Sequence, residues 1–130
     1  MIVLDASVVV ELITRGPLAD SIRSKLAGSY DSIVVPHLID VEVMNALRGL
    51  TAGHRIDSHH CGQLLAQLAA LSAERYSHTP LLRRIWELRH NFTAYDATYI
   101  ALAEATGSVL YTCDEKLRSG HRARVELFAN

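Results

Sequence analysis

Short apolar runs alternate with longer amphipathic stretches along the whole chain. Ile2–Leu4 reads as a short buried strand, and Ala6–Thr14, in spite of its valines, as a helix. Gly16 and Pro17 mark a turn. Leu18–Ala27 carries Leu18, Ile22 and Leu26 at helical spacing, and Ile33–Val35 is a second β-branched strand closed by Pro36. Leu38–Leu50 sets Leu38, Val41, Ala46, Leu47 and Leu50 near a 3.6-residue period, and Ile56–Leu71 is a further helix. Glu74–Ser77 is a brief extended segment. Pro80–His90 is a basic amphipathic helix, and Ala94–Thr106 is an alanine-rich one with Gly107 as its natural stop. Val109–Thr112 reads as a third strand, Asp114–Arg118 as one helical turn, and Val125–Phe128 as a fourth strand.

Strands that are unbroken apolar runs are buried on both faces, as in a parallel sheet, and here helices separate them. The pattern predicts a three-layer α/β/α fold with a short-stranded, mostly parallel central sheet. At 130 residues, with no repeat or linker, the chain is expected to form one domain over residues 1–130.

Composition changes this picture only by exclusion. No apolar run approaches the ~18 residues of a membrane span. Asp5 and Glu11 interrupt the valine stretch near the start, and no basic segment precedes it, so no signal peptide is expected. The expectation is a cytoplasmic protein with no membrane contact. Two cysteines make no disulfide framework and no zinc ribbon. The seven histidines show no HExxH spacing, and the adjacent His59 and His60 point to different helix faces. The net charge of −1 gives no overall field to attract a polyanion. A nucleic-acid partner would have to be held by a local basic patch or a bound cation.

Four of the fourteen acids sit inside apolar sequence: Asp5 in IVLDAS, Glu42 in LIDVEVMNAL, Asp96 in TAYDATYIALA and Asp114 in VLYTCDEKL. Asp5 and Asp114 each follow a strand directly, where open α/β sheets bind their ligands. Glu42 lies one turn into the helix after the second strand, and Asp96 in the first turn of its own helix. Each has a plain alternative. Asp5 and Asp114 serve as helix N-caps, Asp96 serves a helix dipole, and Glu42 faces water. Together the four converge on one sheet edge, where uncompensated carboxylates repel and are costly to bury. A divalent cation relieves both problems, and Mg2+ takes hard oxygen ligands while keeping several waters. Asn45, three residues after Glu42, shares its helix face and is placed to orient it or a bound water.

The segments MIVLDASVVVEL, VPHLIDVEVMNAL and FTAYDATYIALAEA, followed by a strand and TCD, resemble the PIN-domain family, and more narrowly the VapC toxins of toxin–antitoxin pairs. The resemblance covers essentially the whole chain and is most specific over Tyr95–Asp114. It implies a Mg2+- or Mn2+-dependent endoribonuclease whose acidic quartet falls on Asp5, Glu42, Asp96 and Asp114. It also matches Ser7 and Thr112 to the family's hydroxyl positions beside the first and last acids. It further implies a VapB-type antitoxin partner and a homodimer. In this reading Asp5, Asp96 and Asp114 hold the metal, and Glu42 holds metal or positions and deprotonates the attacking water. Basic groups near the sheet edge, Lys116 and Arg118 after Asp114 and Arg84 before Asp96, are candidates to steer RNA. Cys113 reads as a small buried residue.

Three rivals are weaker. An aspartyl-phosphate phosphatase has a second aspartate two residues after its nucleophile, where Ser7 stands. A receiver-type signalling domain pairs acids after its first strand and places a lysine after its last core strand; neither feature is present. A non-catalytic PIN-like RNA-binding module would usually lack part of the quartet.

Overall fold

The computed structural model describes all of residues 1–130. Five strands, β1 (Ile2–Leu4), β2 (Ile33–Pro36), β3 (Glu74–Tyr76), β4 (Val109–Thr112) and β5 (Arg124–Leu127), form one sheet in the order β3-β2-β1-β4-β5. Every pairing is parallel. Six helices connect them: α1 (Ala6–Thr14), α2 (Ala19–Ala27), α3 (Leu38–Ala52), α4 (Cys61–Ala69), α5 (Leu82–Glu87) and α6 (Ala94–Thr106).

Right-handed crossovers decide which helices share a face. The chain moves outward from β1 to β2 to β3, so α1 to α4 lie on one face, and α1 packs against α2, α3 and α4. It then returns from β3 to β4 across the opposite face with α5 and α6, where α6 lies on β1, β2 and β4. The direction reverses between β1 and β4, which pair from Ile2↔Val109 to Leu4↔Tyr111. That switch opens a crevice beyond the carboxyl ends of these two strands.

Local chemistry sets the elements around the crevice. Three successive valines disfavour helix at α1. Asp5 overrides them, since its carboxylate caps the first turn by accepting from the Val8 amide, and Val8 and Val9 are fully buried. Thr93 caps α6 by accepting from the Asp96 amide, and Gly107 ends it at φ 65°. Residues Ala97–Ala103 of α6 are all buried, because the helix is sandwiched between the sheet and α5. One apolar cluster runs from β1 and α1 through the sheet to α6.

The departures from the sequence reading are local. The sheet is wholly parallel. Glu74–Tyr76 is a true edge strand paired to β2, with a polar sequence that only an edge tolerates. Its Arg75 grips Asp40 of α3 through two bonds of 2.7 and 2.8 Å. The predicted helix Ile56–Leu71 is shorter, because Asp57 caps a 3-10 turn over Ser58–His60 and α4 begins only at Cys61. Pro80–His90 divides into a 3-10 turn at Thr79–Leu81, with Pro80 in its opening turn, and the short α5.

Candidate active site

The crevice is a cleft of about 470 Å³ lined by Asp5, Ser7, Glu42, Asn45, Asp96 and Asp114, with Tyr99, Cys113 and Glu11 beside them. All four acids singled out in the sequence therefore reach one cavity, from the ends of β1 and β4, the second turn of α3 and the first turn of α6. A separate cleft of about 390 Å³ between α1 and α4 is lined by Arg15, Arg55, Gln63 and Gln67 and contains one acid, Asp57.

The β1 and β4 half is closed by hydroxyl bridges. Asp5 is 5% exposed, and its carboxylate accepts three bonds. Ser7 Oγ donates to Oδ1 at 2.5 Å, the Val8 amide to Oδ1 at 3.1 Å, and Thr112 Oγ1 to Oδ2 at 2.5 Å. The two hydroxyls also accept. Ser7 Oγ takes the Cys113 amide at 2.9 Å, and Thr112 Oγ1 takes the Asp114 amide at 3.0 Å. The end of β1 is thus stitched twice to the segment that carries Asp114. Asp114 Oδ1 accepts from the Lys116 amide at 3.0 Å. The plain reading of Asp5 and Asp114 as caps is correct as local geometry, and both residues line the cleft as well.

The α3 and α6 half is different. Glu42 does not simply face water: its Oε1 is buried and has no hydrogen-bond partner. Burial holds its carboxyl above the usual range, against a lowering by the Tyr99 hydroxyl, and the charge of Asp96 raises it further. Asp96 is also held high, by burial first and then by Asp114, with Lys116 opposing. Burial pushes the Asp5 carboxyl up to about 6 even though its three hydrogen bonds pull it down. Three acids that resist ionisation beside one another make a site that favours positive charge.

The remaining predicted residues divide. Asn45 lines the cleft but is exposed and leaves Glu42 Oε1 unpartnered. Arg84 is not a cleft residue; its guanidinium grips Glu104 through bonds of 2.7 and 3.0 Å. Arg118 pairs with Glu115 at 3.0 Å on the surface. Lys116 is exposed and acts on Asp96. Cys113 is half-buried, and burial raises its thiol to about 11. Two lining residues were missed in the sequence. Tyr99 lies three residues after Asp96, and that helical spacing was the available signal. Glu11 has its own task, accepting the Leu18 amide at 3.0 Å; its carboxylate packs so close to Gly16 that a Cβ there would push it aside.

The donor set is entirely oxygen, which suits a hard divalent ion. The orphaned Glu42 oxygen and the mutual repulsion of the acids fit such an ion too. No three acids are arranged to close on one ion unaided. An ion such as Mg2+, which keeps waters and takes substrate oxygens alongside few carboxylates, does not need such a closed cage.

Comparison with known proteins follows the same lines. The model of the PIN domain family matches residues 2–121. Ribonuclease VapC12 of Mycobacterium tuberculosis is 36% identical over 131 residues, covering 99% of this chain and 100% of its own length. Among solved structures, the sarcin-ricin-loop-cleaving toxin VapC20 of Mycobacterium tuberculosis superposes with a TM-score of 0.69 at 18% identity, over 90% of this chain and 92% of its own. VapBC2 of Rickettsia felis, bound to a DNA fragment from its promoter, gives 0.67 at 16%, over 99% and 100%. At these identities the two structures speak for the fold.

Proposed function

The chain belongs to the PIN-domain family, in its VapC branch, and from that premise we propose that it is a divalent-metal-dependent endoribonuclease and the toxin of a VapBC-type pair. The observation that carries the chemistry is the convergence of Asp5, Glu42, Asp96 and Asp114 on one cleft at the switch of the sheet. Asp5, Asp96 and Asp114 would hold Mg2+ or Mn2+, with Glu42 as a further ligand or as the group that positions water. Bound there, the ion would polarise the scissile phosphate and offset its charge.

The chain's own groups do the rest. Glu42, held above the usual carboxylate range, is suited to orient a water and take its proton at a carboxylate oxygen. The water oxygen attacks phosphorus in line, the bond from phosphorus to the RNA 3′-oxygen breaks, and that oxygen takes a proton from solvent to leave as a 3′-hydroxyl. Ser7 and Thr112 keep Asp5 in one orientation and hold Asp114 beside it. The reading needs no covalent intermediate: the cleft lining holds no histidine or lysine to act as base for the Ser7 hydroxyl, and burial raises the Cys113 thiol to about 11. Among the basic groups, Lys116 is the best placed to meet RNA phosphate, ahead of the paired Arg118 and Arg84.

The partners belong to the same proposal. A VapB-type antitoxin would enter the cleft along α1 and α3, where Val10 and Ala46 continue its wall. A homodimer would cover exposed apolar side chains such as Val41 and Met44 on α3 and Leu82 and Trp86 on α5. No helix is long and apolar enough to cross a membrane, and the proposed place of action is the cytoplasm, with residues 1–130 working as one unit.

The test is cleavage of a panel of structured RNAs by the purified protein without antitoxin, in Mg2+, Mn2+ or EDTA, with Asp96→Asn alongside. Metal-dependent cutting that leaves 5′-phosphate ends and disappears in the variant is expected. Ends carrying a 2′,3′-cyclic phosphate would overturn water attack, and cutting that survives in both EDTA and Asp96→Asn would overturn the site.

A further inference from the structure

Across the whole chain only two buried side-chain polar atoms lack a partner, Glu42 Oε1 and the Tyr99 hydroxyl. Both residues line the acidic cleft, and each shifts the acidity of the other, so the two groups are near neighbours. One is an acceptor without a donor. The other is a donor without an acceptor. Buried polar groups are almost always satisfied, so this coincidence calls for a common explanation.

The other acids are already served. Asp5 has Ser7, Thr112 and the Val8 amide, and Asp114 has the Lys116 amide. Asn45, on the same helix as Glu42, is exposed. Tyr99 is 1% exposed on the buried stretch of α6, so its ring has little freedom to turn elsewhere. It stands three residues after Asp96 and shares its helix face. A neutral phenol donor would also leave the negative charge of Glu42 intact.

We propose that Tyr99 is a positioning residue: its phenol donates a hydrogen bond to Glu42 Oε1 and holds that carboxylate with its second oxygen available to the attacking water or a divalent ion. The contact stands on the two buried atoms, and its catalytic meaning rests on the nuclease reading above. Helix α6 then supplies the cleft with one acid and with the donor that orients another.

The contact is tested in metal-free protein, without RNA, by 13C NMR of glutamate Cδ, with Glu42→Gln locating the Glu42 resonance. Tyr99→Phe is expected to move that resonance while the other glutamates hold; an unmoved resonance overturns the contact. If Tyr99→Phe does not fold, the pair is read from the other side. The Tyr99 Cζ resonance then shifts in Glu42→Gln if the contact exists and stays in place if it does not.

The role is tested by kinetics and by Mn2+ binding followed by electron paramagnetic resonance. Tyr99→Phe should lower kcat about 10- to 100-fold with KM for RNA unchanged, and weaken Mn2+ about tenfold. In a Glu42→Gln background the same change should cost nothing further. A kcat loss undiminished in that background would make Tyr99 merely structural and overturn the positioning role. A wild type that does not cut RNA would sink the nuclease reading, and the resonances would still decide the contact.

Discussion

The two halves of the cleft are built on opposite terms. Where β1 and β4 end, every oxygen of Asp5 has a donor, and two hydroxyls tie neighbouring strands together. Where α3 and α6 begin, Glu42 keeps a buried oxygen with no partner beside a tyrosine hydroxyl in the same state. The first half is closed by hydrogen bonds within the fold, whereas the second holds the one unpartnered acceptor and the one unpartnered donor of the cleft. Removing a carboxylate charge should therefore have different consequences in the two halves, although both changes reach the same chemistry.

Asp96→Asn should give the largest effect. It removes a charge that the fold resists, from a side chain held on the protein by little beyond its Thr93 cap, so RNA cleavage should fall about 10³-fold or more. In EDTA the variant should melt at the wild-type temperature or slightly above it. A clear drop in melting temperature would show that the α6 side is as structural as the strand side and would erase the comparison.

The next effect is on stability against pH in the chelated protein. The Asp5 carboxyl titrates near 6 when folded and near the ordinary 3.8 when unfolded. Between those values the folded state binds more protons, so stability falls as pH rises through the window and levels off above it. The loss is about 3 kcal/mol at most; Glu42 and Asp96, also held high by burial, act in the same direction. Urea unfolding from pH 3.5 to 7 checks this. Stability that climbs through the window would mean that the hydrogen bonds to Asp5 outweigh its burial.

Thr112→Val breaks the closed half without changing its shape. Thr112 is fully buried, and its hydroxyl serves Asp5 and Asp114 together. Loss of the donor leaves a buried carboxylate oxygen unpaired, at a cost of about 2 kcal/mol. Thr112→Ser, which keeps the hydroxyl, should recover most of it. A silent Thr112→Val would mean that the stitch holds nothing the strand pairing does not already hold.

The closed half was also the more legible one. An acid directly after an apolar strand stands out in IVLDAS and TCDEKL, although the alternation of elements leaves open which strands pair, and it is the β1–β4 pairing that brings Asp5 and Asp114 together. Glu42 and Asp96 were visible as acids in apolar helices, but that Glu42 is partly buried, with one oxygen cut off from water, depended on how α3 and α6 approach across the sheet edge. Tyr99 was hidden for the same reason: inside TYIALA a tyrosine reads as core. Boundaries failed where side-chain caps, such as Asp57 on its 3-10 turn, competed with hydrophobic periodicity. The strand Glu74–Tyr76 lacked an apolar signature because an edge strand needs none.

The smallest effect concerns RNA steering, where nearness in sequence and geometry favour different residues. Arg118 is close to Asp114 along the chain, yet its guanidinium faces Glu115 at 3.0 Å, with both side chains about two-thirds exposed. Such a pair is weak, but it cancels much of the field the arginine would present to a phosphate. Lys116 has no such partner and is near enough to Asp96 to oppose its repulsion from Asp114. RNA affinity measured against salt, in an Asp96→Asn background that prevents cutting, separates the two. Lys116→Ala should weaken binding a few-fold and flatten the salt slope by about 0.7, one phosphate contact on a single strand, whereas Arg118→Ala should leave the slope nearly unchanged. Equal slopes in the two variants would show that Glu115 releases Arg118 when RNA arrives, and that the rim of the second half rearranges with its substrate.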